Sequence, residues 1–270
     1  MYKHEIISRQ GSGAANEDIS GMSQNRFWVL DGASSLVKER LFQGPSDAAG
    51  LVRAFSDSLT NIGKSELANA DLCALAMEGV REKLGPRGLT DPALGPSFAM
   101  VMAHVKEAEI HITCLSDCAA ILWYPNKKAA EVHTDNRIEK TSKKTRRVID
   151  HVKILNLPDD ERRAIILRQL AKNRRIMNTP RGYFVGTLDG AAFPNAYNAA
   201  MPRKDAAQLL LCSDGFLRLF DYGLLTVNVF FQNGATLEDA ANLLRAHEMQ
   251  MPDGAEVKRH DDLTAIRIFL

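Results

Sequence analysis

Ala48, Leu51, Val52, Phe55, Leu59 and Ile62 recur at steps of three and four, the period of one helix face. Ser46 stands where a helix cap belongs, so a helix is predicted to open at Asp47. A second helix is predicted from about Asp71 to Leu84. Leu72, Leu75, Val80 and Leu84 form its apolar side, and Gly85-Pro86-Arg87-Gly88 is its stop. From Ser97 the period changes. Phe98 to Val105 is apolar on both faces, as in a central strand covered on both sides, and Glu109 to Cys114 alternates strictly. Ala119 to Tyr124 reads as a third strand, closed by Pro125-Asn126. Residues 97–134 therefore predict an antiparallel meander, with a turn at Asp117 between two of its strands. Further strands are predicted at 2–8, 26–31, 182–187, 207–212 and 263–269. Further helices are predicted at 138–152, 160–176, about 224–231 and 236–248, the last capped by Thr236. Helices on both sides of a strand meander argue for layered α and antiparallel β structure. The 270 residues show no repeat and no clear linker, so one domain is expected over 1–270.

Charge adds a second feature. Residues 137–181 hold fourteen Lys/Arg against five Asp/Glu, a net of +9 that leaves −8 on the rest of a chain whose total is +1. This segment reads as a basic helical flap; a plainly solvated face is the commoner reading of such a run, and its charge would also suit a phosphorylated partner. Its aromatics are sparse, which argues against a nucleic-acid surface. No apolar run reaches the length of a membrane span, and the first residues lack a leader pattern, so a cytoplasmic protein is expected. Cys73, Cys114, Cys118 and Cys212 have no framework spacing and read as small buried hydrophobes.

The chemistry lies in short acidic clusters spread along the chain. They are Asn16-Glu17-Asp18, Asp31-Gly32, Ser213-Asp214-Gly215 and His260-Asp261-Asp262. Three adjoin apolar strand-like runs: Phe27 to Leu30, Leu209 to Cys212 and Leu263 to Ile266. Carboxylates beside a core are costly unless a cation meets them. An all-oxygen set suits Mg²⁺ or Mn²⁺. A metal-dependent hydrolase with a carboxylate-built centre is the reading these residues support.

The order and spacing of these clusters resemble the metal-dependent protein serine/threonine phosphatases, the type 2C-like group. A fifth segment, Leu115-Ser116-Asp117-Cys118, is similar to that family's Gly-Asp-Ser motif. The resemblance implies an α+β fold: a four-layer α-β-β-α sandwich of two antiparallel sheets flanked by helices, with metals at one edge. It implies two Mn²⁺ or Mg²⁺ ions and a weaker third. Asp31 would bridge the pair, and the carbonyl of Gly32 and the carboxylate of Glu17 would contact one ion. Asp214 and Asp261 would hold the other, and Asp117 would sit near the third. Asp18 would orient metal waters, so Asp31 and Asp18 are the expected catalytic residues. Asp262 would support the ligands from behind. The implied reaction is hydrolysis of phosphoserine or phosphothreonine on a protein by a metal-activated water.

The chain departs from that pattern in three places. Gly13 stands where the family has a phosphate-gripping Arg, and Ala33 stands where many members have a His. The third-metal segment reads Ser116-Asp117-Cys118-Ala119. The flap residues Arg174, Arg175 and Arg181 are candidates for the missing phosphate contact. The same departures motivate an alternative, a weakly active or inactive member that binds phosphoproteins as a regulator.

Overall fold

The structure, a computed structural model, describes residues 2–36, 40–85, 91–155, 157–251 and 259–270. The chain opens with strands β1 (His4–Arg9), β2 (Asp18–Ser23) and β3 (Arg26–Ala33). Helices α1 (Asp47–Ile62) and α2 (Asn69–Leu84) follow. Ser46 caps α1 by accepting the Ala49 N–H at 3.0 Å, as the sequence predicts. Next come β4 (Ser97–Val105), β5 (Glu109–Leu115), β6 (Ala119–Tyr124) and β7 (Ala129–Thr134). Helices α3 (Glu139–Ile154) and α4 (Asp159–Arg174) carry the basic excess, and β8 (Tyr197–Pro202) and β9 (Gln208–Cys212) follow them. Three helices, α5 (Asp214–Asp221), α6 (Val227–Gln232) and α7 (Leu237–Gln250), then lead to β10 (Leu263–Phe269).

The ten strands form two antiparallel five-stranded sheets, ordered β1-β10-β9-β6-β7 and β2-β3-β4-β5-β8. Strand alternation assigns each side chain to a layer. Trp28, Leu30, Met100 and Met102 pack under α1 and α2 with Phe55, Phe193 and Met77. Their neighbours Phe27, Val29, Val101 and Ala103 meet Leu209, Leu211, Ile266 and Ile268 between the sheets. Ile121, Leu210 and Ala265 face α5, α6 and α7 through Phe216, Phe230 and Leu244. The result is the four-layer α-β-β-α sandwich. Burial of every residue of β4 fits a strand covered on both faces.

Several expectations change. The 97–134 segment is not one meander, because β4 and β5 belong to one sheet while β6 and β7 belong to the other. The chain crosses between sheets at Ser116-Asp117, where Ser116 takes a left-handed φ of 61°. Residues 182–187 form no strand; only isolated bridges occur there, Phe98 with Gly186 and Met177 with Tyr183. A late helix expected at about 224–231 is shifted to Val227–Gln232. In α2, Leu75 is exposed and Cys73, Ala76 and Met77 supply the buried face. Gly85 ends α2, while 86–88 of its predicted stop lie outside the described residues. All four cysteines are buried and unbridged. Among the described residues, no helix is long and apolar enough to cross a membrane.

Helices α3 and α4 pack on each other, joined where Asn173 Nδ2 donates to Thr145 Oγ1 at 2.6 Å. The last turn of α4 is tied to the rest of the chain by Arg174. Its guanidinium donates to Gly95 O and Ser34 O, both at 2.5 Å. Lys140, Lys143, Lys144 and Arg147 of α3 face solvent.

Candidate metal centre

The antiparallel register of β2 and β3 sets Asp18 opposite Asp31. Just outside this pair, the Gly32 N–H donates to Glu17 O at 3.1 Å. A Cβ on Gly32 would lie 2.7 Å from that carbonyl and 3.1 Å from Ala48 Cβ, so the approach requires glycine. The Glu17 carboxylate accepts from Ser34 Oγ. From the second sheet, Ser213 N–H donates to Thr264 O at 3.0 Å and Thr264 N–H returns to Ser213 Oγ at 3.0 Å. This stitch brings Asp214, at the start of α5, beside Asp261-Asp262, just before β10. A Cβ on Gly215 would lie 1.9 Å from Asp262 O, which makes the close contact dependent on glycine. Asp262 accepts the Gly11 N–H at 2.6 Å and the Glu17 N–H at 2.8 Å. Its carboxylate thereby clamps the first loop to the last one. Asp117 occupies the crossing between the sheets and accepts from Ser116 Oγ at 2.9 Å.

The chain-distant carboxylates act on one another. Burial, then the charges of Asp18, Asp214 and Asp117, hold the Asp31 carboxyl well above the usual range. Asp31 and Asp214 also act on each other's protonation, raising the first and lowering the second. Burial pushes Asp214 up to about 7, with Asp117 and Asp261 adding to the shift and Arg218 opposing it. Burial raises Asp117 as well. Asp18 is pushed up to about 8 by burial and by the charges of Asp214, Asp262 and Asp261. The nearby Ser213 hydroxyl works against that shift, but it is committed to the Thr264 main chain. Both Asp18 oxygens are buried without a hydrogen-bond partner. Among the described residues, no group of three or more Asp, Glu, His or Cys side chains is arranged, as it stands, to hold a metal ion.

The sequence does not reveal what stands behind Asp261. Arg218, one helical turn beyond Asp214, donates from Nη2 to Asp261 Oδ2 at 2.6 Å. Arg245 donates from Nη2 to Asp261 O at 2.6 Å. Both arginines also meet Glu248, which is completely buried. His260 Nδ1 joins the same carboxylate at 2.7 Å. Burial alone would lower the Arg218 guanidinium, but Asp261 and Asp214 outweigh it and raise the pKa. Arg218 carried no signal, because the helix that presents it opens at Asp214-Gly215, a pair that reads as a turn; Glu248, in a polar helix end, carried no signal of burial.

The remaining expectations sort by distance from this edge. Asp18, Asp31, Asp117, Asp214 and Asp261 fall within electrostatic reach of one another. Arg175 and Arg181 are exposed. Arg174 is bonded to two carbonyls, one of them in the Asp31–Ser34 segment. Arg9, near Gly13 in sequence, is turned away to α7, where Nη1 donates to Asn242 Oδ1 at 2.9 Å.

These residues fit a divalent cation. Asp18 offers two buried oxygens that no protein donor satisfies, and desolvated carboxylates of this kind call for a positive charge. The surrounding set is all oxygen, the donor type that Mg²⁺ and Mn²⁺ prefer. The glycines at 32 and 215 bring main chain close to the same place.

No protein-family model and no curated protein matches the sequence. Solved structures do match in fold. A serine/threonine phosphatase, Stp1 from Staphylococcus aureus, aligns over 100% of this chain and 95% of its own, with a TM-score of 0.59 and 17% identity. PppA from Pseudomonas aeruginosa, described as a key regulatory component of its T6SS, aligns over 99% and 97% at a TM-score of 0.57 and 14% identity. The catalytic domain of the serine/threonine protein phosphatase PstP, in complex with two manganese ions, aligns over 99% and 97% at a TM-score of 0.55 and 13% identity. From end to end, this chain carries the fold of the bacterial type 2C-like serine/threonine phosphatases.

Proposed function

We propose that the chain is a divergent member of the metal-dependent serine/threonine phosphatase family and hydrolyses phosphoserine or phosphothreonine on a protein. The observation that carries this reading is the unpartnered carboxylate of Asp18, buried beside Asp31 and Asp214 at one edge of the paired sheets. Asp31, Asp214, Asp261, Glu17 and the Gly32 carbonyl would hold two Mn²⁺ or Mg²⁺ ions, with Asp117 serving a weaker third. When bound, such a pair would neutralise a phosphate and lower the pKa of a bound water, so no protein nucleophile would be needed. Asp18 would orient that water from its buried position. Asp262 keeps Gly11 and Glu17 in register with the last loop. Residues 1–270 act as one phosphatase-like domain. Residues 137–181 form its basic flap, which faces a phosphorylated protein in the cytoplasm.

The test is turnover of p-nitrophenyl phosphate and of a phosphothreonine peptide, with Mn²⁺ and then with excess EDTA. Hydrolysis that needs Mn²⁺ supports the reading, and hydrolysis that survives EDTA removes it. A second reading draws on Asp261, which already holds Arg218 at 2.6 Å. In that case the chain binds phosphoproteins as a regulator with little or no catalysis. Mn²⁺ binding without turnover of either substrate would select it.

A further inference from the structure

We propose that Arg218 is a built-in counter-ion for the centre. It occupies Asp261 while no divalent ion is present and transfers to Glu248 when one binds. This inference rests on the metal-centre reading above. An Asp261 oxygen that holds a guanidinium at 2.6 Å has less charge to give a metal. For Asp261 to act as a ligand, Arg218 must share or leave it. The structure offers a destination. Glu248 is completely buried, and its Oε2 is taken by Arg245 Nη1 and His260 Nδ1, both at 2.7 Å. Its Oε1 is buried with no hydrogen bond, and so is Arg218 Nη1. These two unsatisfied atoms face each other at 3.5 Å.

A buried donor and a buried acceptor left open at that distance are each costly, and a small rotation of the guanidinium pairs them. Arg245 is placed to keep the frame still during this change. It holds Asp261 by its carbonyl at 2.6 Å, not by its carboxylate. The Arg218 contact on Asp261 Oδ2 can thus be given up while the main chain of Asp261 stays fixed and its Oδ1 keeps the Asp262 N–H at 3.2 Å. Two positions for one cation, both negative, make the buried Glu248 part of the metal affinity although it touches no metal.

Mn²⁺ titration by calorimetry on the full chain tests this, with Arg218→Gln, Glu248→Gln and the double variant. Arg218→Gln removes the competitor, so Mn²⁺ binding should tighten by about 5-fold or more. Glu248→Gln removes the destination, so binding should weaken by about 5-fold or more. The double variant should match Arg218→Gln within about 2-fold, because Glu248 acts through Arg218. A merely structural pair would weaken binding in both single variants, and weaker or unchanged binding in Arg218→Gln overturns the proposal. If circular dichroism shows that Arg218→Gln does not fold, structures of the unaltered protein with and without Mn²⁺ decide. Arg218 should move to about 3 Å from Glu248 Oε1; an unmoved Arg218 in the Mn²⁺ form overturns the inference. Wild type that binds no Mn²⁺ overturns the metal-centre reading together with this one. Wild type that binds, alongside a weakened Arg218→Gln, overturns this one alone.

Discussion

At the scale of single residues, the centre is a set of costs accepted at one place. Asp18 buries both carboxylate oxygens without a donor, next to four other acidic groups. Below about pH 8 that carboxyl has to be protonated in the metal-free fold, a cost that asparagine does not carry, so replacing it should stabilise the metal-free protein. Asp18→Asn is expected to raise its Tm by about 2–8 °C, the effect of about 1–2 kcal/mol, while Mn²⁺ no longer adds its full stabilisation. A fall in the metal-free Tm, read by calorimetry, would remove the argument from desolvation. Asp31→Asn or Asp214→Asn should each lower kcat by about 100-fold or more, measured at saturating Mn²⁺. Near-normal rates in both would take those residues out of the site. His104 provides a contrast away from the centre. It is buried against Arg26, with Nδ1 at 3.0 Å from Nη2, and burial followed by the Arg26 charge pushes its pKa down to about 4. The unfolded chain binds the proton from about pH 6.5, whereas the folded chain resists until about pH 4. Stability from the neutral ring is therefore complete above pH 6.5 and declines as the pH falls toward 4, by about 3 kcal/mol in all. Denaturant midpoints of His104→Asn should lose that acid slope; an unchanged slope would contradict the assignment.

At the scale of elements, legibility followed burial. Helices α1 and α7 and strands β3, β9 and β10 present full apolar faces to a core, so their periods were readable. The edge strands β2 and β8 were not. The first is partly exposed along nearly all its length, with Gly21 under the Trp28 ring; the second alternates through small alanines. Helix α5 begins at Asp214 itself, and Asp-Gly resembles a turn in sequence. The crossing at Ser116 is invisible because both β5 and β6 read as strands whichever sheet receives them. The acidic motifs were legible because type and order carry their chemistry. Arg218, Arg245 and Glu248 were not, because their roles arise only when α5 and α7 meet the last loop. That junction depends on Gly215. A methyl group there meets Asp262 O, a main-chain atom that cannot yield without moving the loop. Gly215→Ala should cost about 3 kcal/mol in urea unfolding and weaken Mn²⁺ binding. A wild-type midpoint would show that the loop has room to move. The flap anchor is a second element-level device. Arg174→Ala removes two bonds to carbonyls. Amides of α3 and α4 should then exchange hydrogen faster, while those of β4 keep their protection. Equal exchange rates in the flap would show that other contacts hold it.

At the scale of the whole molecule, two sheets from distant parts of the sequence converge on one acidic edge, and the excess positive charge lies in a separate helical pair. The segment 137–181 carries +9 against −8 for the remainder. If the flap meets the substrate, KM for an acidic phosphopeptide should rise severalfold between about 50 and 300 mM salt, since exposed charges are screened over roughly a Debye length. KM for p-nitrophenyl phosphate should change less. Parallel changes would assign the salt effect to the centre instead. The claim beneath all of this is that Asp18, Asp31, Asp214 and Asp261 gather to receive divalent ions. Calorimetric titration of Mn²⁺ into the purified, metal-stripped chain addresses it without assuming any substrate. Two ions per chain in the wild type, with loss of binding in Asp31→Asn, is the predicted result. No saturable uptake by the wild type, or equal uptake by Asp31→Asn, would contradict it.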